Sequence, residues 1–362
     1  MNLLDEIKPH LKMESSKIER GIKFIKLLTG VGIAYALIHM LIRYTGADLW
    51  EEIARANRWL LLLAVLWFSG SIYFLVERLY ILLRIQGIHL SRWDVARVSM
   101  ISFFINIVIP GAVSGDLIKM IYVAKQAKKK EAEALLTIFW DRVIGMVGLM
   151  VVATLIILIY LPRILSLEAQ YYYLQMAILT VGLGCLLGGL LFFLLLLQSY
   201  RKNSSAGRLF EWVHSKIPKK IIPIVDRLTA AINLYRNNLN VILKTLFLSV
   251  LNHFWMSTNL FLIGWCVGEH IMQLGDYILA TQVGNLIAVL PITPGGIGTR
   301  DAGSALIFQA LGSQMTKAGV IPVMMTFVIL FWRLVGGWFF IFSKSSKVST
   351  SESYLPSEGA GR

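Results

Sequence analysis

The strongest constraint on this chain is a set of long apolar runs. A bilayer's hydrocarbon core is about 30 Å thick and takes roughly 20 helical residues to cross. Runs of that length lie at residues 22–42, 60–82, 143–161, 174–197, 241–267 and 320–342. Backbone N–H and C=O groups find no water in lipid, so a spanning segment must pair them within itself as a helix. The alternating pattern of a membrane barrel is absent. The expected fold is therefore all-α: a polytopic integral membrane helix bundle of about six full spans. Composition agrees, with only 15% charged residues against roughly 25% in soluble domains.

The N-terminal residues 1–21 form a charged, amphipathic segment, not a short apolar stretch with a small-residue cleavage site. The first span is expected to act as its own insertion signal. Cys185 and Cys266 both fall inside apolar spans and read as packing residues, not a disulfide or a ligand pair.

Lysines and arginines flanking spans favour the cytoplasm. Strongly basic segments precede span one, follow span two (Lys128, Lys129 and Lys130 among them), follow span four (Arg201 to Arg236) and follow span six (Lys344, Lys347). The intervening loops are balanced or acidic. With six spans, every basic segment falls on one side, giving both termini in the cytoplasm. The net charge of +14 then reflects attraction to anionic lipid headgroups, and no nucleic-acid partner is expected.

Two further segments are apolar but broken. Residues 98–123 contain Asn106, Pro110, Gly111, Gly115 and Asp116. Residues 277–311 contain Asn285, Pro291, Pro294, Gly295, Gly296, Gly298, Arg300 and Asp301. Each is followed by a similar apolar stretch, Phe139-Trp140-Asp141-Arg142 and Phe331-Trp332-Arg333. Paired Gly/Pro-interrupted segments in matching halves are the best sequence pointer to a transport site. Each reads as a re-entrant hairpin or a pair of broken helices. One clear span separates the two units, about residues 60–161 and 241–342. An odd number of crossings reverses direction, so the units are expected to form an inverted repeat.

The breaks carry usable chemistry. Glycines admit close backbone approach, prolines interrupt helices, and restarted helix N-termini aim free N–H groups at an anion. Lys119 adds a point charge, while Arg142 and Arg333, at the mouths of the following spans, offer bidentate forks for phosphate. Structural alternatives stand beside these readings. Asp116 and Lys119 have the spacing of a helical ion pair, and Asp141 with Arg142 or Arg300 with Asp301 can be interface pairs without a ligand. Glu77 and Arg78, near the end of span two, can face the same cavity, but the favoured reading places them at the membrane interface. Asn252 and His253 form a polar pair within span five, and a lone intramembrane histidine is more often hydrogen-bonded packing than a relay. Ionisable residues within membrane segments remain functional candidates by default.

These motifs resemble the transmembrane, flippase-like region of the lysylphosphatidylglycerol synthases. The resemblance is carried by Asn106, Pro110-Gly111, Gly115-Asp116, Lys119, Asp141-Arg142 and, most specifically, Pro294-Gly295-Gly296-Ile297-Gly298 with Asp301. The family pattern has Gly-Gly-Asp where Ser114-Gly115-Asp116 stands, Arg for Lys119, Glu for Asp141, and Glu near Asp301. The resemblance covers about residues 22–342 and implies a flippase-like membrane domain in the inner membrane of a prokaryote. Residues 343–362 form a Ser-rich polar tail, expected to be disordered and too short for the soluble aminoacyltransferase domain of full synthases.

The leading functional expectation is a lipid translocator. Its binding set is Asn106, Gly115, Asp116, Lys119, Asp141, Arg142, Asn285, Pro294, Gly295, Gly296, Gly298, Arg300, Asp301 and Arg333. The ligand is the phosphate-bearing headgroup of an anionic phospholipid or a polyprenyl-phosphate-linked glycan. The alternatives are a membrane-embedded transferase on a lipid-linked substrate, or a partner subunit of a separate lipid-modifying enzyme. Neither a nucleotide-binding loop nor a metal-ligand spacing is present in the sequence, so no cofactor is expected.

Overall fold

The computed structural model describes residues 49–108, 114–127, 130–199, 234–235, 237–289 and 296–342. The expected first span, both chain termini, the Lys128-Lys129 pair and most of the loop after span four lie outside them, as do Pro110, Gly111, Pro291, Pro294 and Gly295. The described residues are helical, without strands.

A short helix α1 (Leu49–Arg55) leads into α2 (Arg58–Ile85), α3 (Arg92–Val108), α4 (Ser114–Gln126) and α5 (Glu131–Ile159). The brief α6 (Leu161–Leu165) and a single 3-10 turn (Ala169–Tyr171) precede α7 (Tyr172–Ser199). The chain continues with α8 (Leu239–Cys266), α9 (Leu274–Val289), α10 (Thr299–Ala310) and α11 (Met315–Phe342). Among the described residues, five helices are long and apolar enough to cross a membrane. They correspond to the second through sixth expected spans. One boundary differs substantially. The helix carrying Asp141 and Arg142 begins at Glu131, so this pair lies within the helix, not at its mouth. Arg333 is likewise deep within α11.

Local signals set the helix starts. The Asn57 side chain accepts hydrogen bonds from Trp59 N (3.0 Å) and Leu60 N (3.2 Å), capping α2. Ser91 accepts from Asp94 N at 3.0 Å at the head of α3. Asp276 takes Gln273 N at 2.7 Å at the head of α9. Before α10 the chain passes through Gly296 (φ 72°) and Gly298 (φ 82°), left-handed conformations that favour glycine. Gly298 N then donates to Asp301 Oδ2 at 3.1 Å.

The two broken segments are helix pairs. Helices of 17 and 13 residues make the first, and of 16 and 12 the second. At 1.5 Å per residue they are about 18–26 Å long, short of a bilayer core. Ser304 Oγ donates to Ala280 O at 3.0 Å, and a side chain at Gly284 would meet Arg300 and Ser304. Residue numbers thus rise on α9 as they fall on α10, the signature of an antiparallel hairpin.

The two halves match. Helices α2 to α5 run 28, 17, 13 and 29 residues, and α8 to α11 run 28, 16, 12 and 28. Packing is exchanged between them, α3 lying on α11 and α9 on α5, with α2 against α8 at the centre. The central pair is antiparallel. Asn57 N bonds Cys266 O (2.9 Å), Asn259 Nδ2 bonds Ala64 O (2.7 Å), Trp67 Nε1 bonds Thr258 Oγ1 (3.0 Å), and Arg78 Nη1 bonds Ser249 Oγ (3.2 Å). Equivalent helices that run in opposite directions make the repeat inverted. Ser71 and Asn252, each the fourteenth residue of its helix, hydrogen-bond to one another, which puts the pseudo-two-fold axis at this contact, halfway along both spans.

Lipid tails are as apolar as leucine, so helices in a membrane associate through close packing and polar contacts. Small residues supply the close packing. A Cβ at Gly148 would run into Ser249, at Gly264 into Tyr277, and at Gly336 into the Met100 carbonyl. The aromatic rings of Trp67 and Trp255 stack at 4.0 Å across α2 and α8. Cys185 and Cys266 are buried and unbonded to one another. Helix α7 sits outside both quartets and packs on α5.

Gly336→Val is expected to destabilise the protein by about 1–3 kcal/mol, because the obstructing atom is backbone and cannot swing away. Gly184→Ala, where a Cβ meets nothing within 4 Å, should be neutral or stabilising by up to about 1 kcal/mol. Thermal unfolding of the purified variants in one detergent checks both.

Candidate functional site

A cavity of about 330 Å³ lies between the two quartets, and all eight of their helices contribute to its wall. That volume is at the lower end of the roughly 300–1,000 Å³ usual for small-ligand sites. Five cationic side chains line it: Arg78, Lys119, Arg142, Arg300 and Arg333. Two carboxylates, Asp116 and Asp141, share the wall. Asp301 adjoins it through Arg300, at 3.0 Å. The chamber therefore carries more positive than negative groups even with Asp301 counted.

The charges form a connected network. Asp141 receives Arg78 Nε at 2.7 Å and lies 3.8 Å from Lys119 Nζ. Asp116 receives Arg142 Nη1 at 2.8 Å and lies 3.7 Å from the same Lys119. Lys119 thus bridges both carboxylates. Side chains of Arg78 and Asp141 are only 7% exposed, whereas Arg142 is 39% exposed. Arg142 is accordingly the most exposed cation of the chamber. Asp301 accepts from Thr326 Oγ1 at 2.8 and 2.9 Å, and Arg300 also reaches Thr326. The Arg333 guanidinium sits 5.1 Å from the Phe103 ring, a cation–π distance.

The inverted repeat relates these contacts. Asp116 and Asp301 are each the third residue of their helix, α4 and α10. Arg142 and Thr326 are each the twelfth residue of α5 and α11. The Asp116–Arg142 ion pair of one half is therefore the Asp301–Thr326 hydrogen bond of the other. This corrects one sequence alignment. The Phe-Trp-Arg stretch at Arg333 resembles that at Arg142, but Arg333, the nineteenth residue of α11, is the counterpart of Leu149 in α5. The likeness of the two stretches is offset by about two helical turns.

The structure brings Asn106, Asp116, Lys119, Asp141, Arg142, Arg300 and Arg333 to one cavity. Gly115 serves the wall indirectly. Its N–H donates to Asn106 Oδ1 at 2.8 Å, and a Cβ there would strike Ser102 and Asn106. Gly296 and Gly298 shape the entry to α10. Asn285 borders a separate void of about 10 Å³ with Thr281, Arg300 and Ser304. Pro294 and Gly295 lie outside the described residues. Glu77 and Arg78 divide: Glu77 accepts from exposed Arg92 at 2.9 Å, while Arg78 is buried in the chamber. Ser71, Asn252 and His253 also line it. Arg78 was detectable as a charge well inside an apolar run, but adjacency to Glu77 gave it the look of an interfacial pair.

An inverted pair of helical quartets enclosing a charged chamber defines a polytopic membrane protein with an internal polar site. Within that class the match is specific: the sequence model described as the lysylphosphatidylglycerol synthase TM region covers residues 24–342, and the chain belongs to that family. A search of curated proteins gives no match. The family ties this chain to membrane lipids.

Removing one member of a buried ion pair leaves an uncompensated charge and costs about 3–5 kcal/mol, whereas removing both is often near neutral. Arg78→Gln is therefore expected to destabilise the protein strongly, and Arg78→Gln combined with Asp141→Asn to recover most of the loss. Unfolding of the single and double variants in detergent tests this, and an equally unstable double variant would assign the stability to packing instead.

Proposed function

We propose that the protein translocates a membrane lipid by accommodating its phosphate-bearing headgroup in the chamber while the acyl chains stay in lipid. The observation that carries this reading is the excess of cationic side chains in a cavity built from both inverted units. Charges within a membrane are costly and mark ligand pathways, and a site at the interface of inverted repeats is the architecture of many alternating-access transporters. Arg142 is the direct phosphate contact, with Lys119, Arg300 and Arg333 as further cations. Asp116, Asp141 and Asp301 hold these cations in place and offset part of their positive charge. The basic flanks support an orientation with both termini in the cytoplasm of a prokaryotic cell. The lipid is an anionic phospholipid or a polyprenyl-phosphate-linked glycan, supplied or consumed by a separate lipid-modifying enzyme.

Headgroup accessibility in proteoliposomes with labelled lipids of both classes tests the proposal. The native protein should move one class across the bilayer. Arg142→Gln should slow that movement by about 10–100-fold, the worth of one charge-assisted hydrogen bond, with membrane insertion unchanged. Folded native protein that moves no lipid would overturn translocation and direct attention to transfer chemistry.

A further inference from the structure

The three carboxylates at the chamber are held differently. Asp301 accepts from Gly298 N at 3.1 Å, Thr326 Oγ1 at 2.8 and 2.9 Å, and Arg300 Nη2 at 3.0 Å. Asp141 takes the buried Arg78 at 2.7 Å. Asp116, the counterpart of Asp301, is the most exposed of the three, at 14% against 7% and 5%. It stands between two cations that line the same cavity. Arg142 Nη1 is 2.8 Å from its Oδ2, and Lys119 Nζ is 3.7 Å from its Oδ1. A guanidinium on one oxygen and an ammonium on the other is the arrangement that two phosphate oxygens would also take. The Asp116 carboxylate and a phosphate entering the chamber therefore call on the same donors.

We infer that Asp116 is a built-in counter-anion: a phosphate takes its place on Arg142, and its return to Arg142 sends the phosphate off. This rests on the chamber being the headgroup site. A site that passes its ligand on must bind it strongly enough to admit it and weakly enough to release it. A cluster of cations in a medium of low dielectric binds an anion strongly, and a fixed negative charge beside the most exposed of them weakens that hold. Lys119 keeps the exchange from stranding a charge. It touches both Asp116 and Asp141, so Asp116 retains a partner while Arg142 holds the phosphate, and an uncompensated charge at this depth is avoided. Asp301 does not serve in this way. Gly298 N and Thr326 remain on it whichever way Arg300 points, which ties it to the start of α10. The sign of one substitution separates a competitor from a positioning group. Were Asp116 only holding Arg142 in place, removing its charge would loosen the arginine and weaken anion binding. Removing a competitor strengthens it.

The test measures binding of two minimal anionic phosphodiesters, short-chain phosphatidylmethanol and a short-chain prenyl methyl phosphate, to the detergent-solubilised full chain. Asp116→Asn keeps the side chain's shape and removes its charge. It should bind one probe about tenfold more tightly than the native protein, roughly the worth of one charge-assisted contact. The probe that gains tells a glycerophospholipid from a polyprenyl lipid. The same variant should move the matching lipid in proteoliposomes more slowly than the native protein, because release is impaired. Asp116→Ser, smaller and also neutral, should show the same gain and keeps the test open where the Asn variant does not fold. Adding Arg142→Gln to Asp116→Asn should erase the gain. Unchanged or weaker binding in the folded neutral variants overturns the inference, as does movement by Asp116→Asn at or above the native rate. Weaker binding by the variants, with native protein that moves lipid, leaves translocation standing and removes the counter-anion. Tighter binding by the variants, with native protein that moves no lipid, does the reverse.

Discussion

Charge held inside a membrane sets the terms for this fold. An arginine or aspartate at bilayer depth is tolerated only when it faces protein or a wet cavity and finds a partner. Arg78 and Asp141, joined at 2.7 Å and nearly inaccessible, come from two different spans, α2 and α5. Their pairing draws α2 onto α5, and Lys119 extends the same network to α4. Once those helices are drawn together, the second quartet closes the chamber from the other side through α8, α9, α10 and α11. A buried pair of this kind is weak evidence for stability, since apolar residues of similar volume often do as well. Its value here is in arranging ionic groups that an apolar core would not contain.

Packing around the chamber follows from the same medium. No hydrophobic driving force separates helix from lipid, so contact must be close to count. Gly148 against Ser249, Gly336 against the Met100 carbonyl and Gly264 against Tyr277 bring the backbones near. The polar contacts between α2 and α8 then align the two spans from Asn57 against Cys266 to Arg78 against Ser249.

Much of this was legible in the sequence because the bilayer imposes long, simple signals. Five expected spans correspond to described helices, and both broken segments are helix pairs in inverted units. The start of α5 differs from the sequence reading because Glu131, Glu133 and Asp141 make its first turns look like loop; Asp141 is met by Arg78 in the interior, and Glu131 lies at the surface. The candidate residues near the first break, Asp116, Lys119, Asp141 and Arg142, lie together because one hairpin and the helix that follows it carry them all. The counterpart of Arg142 was hidden. Local likeness pointed to Arg333, whereas the helical register selects Thr326, and register is a property of whole helices that a short motif does not carry. His253 was visible only as a polar residue in an apolar span. Its relation to Gly145 joins positions 108 residues apart.

The exchange of Arg142 for Thr326 across the pseudo-axis has a thermodynamic meaning. Were the halves chemically identical, trading their shapes would produce an equivalent molecule facing the opposite way, and neither orientation would be favoured. Here one half locks its acidic residue with a full positive charge and the other with a hydroxyl and a neighbouring arginine. Interchanging the two geometries therefore changes the energy, and the degeneracy that the architecture offers is lifted by its side chains. The backbone is nearly even-handed, and the side chains laid on it are not.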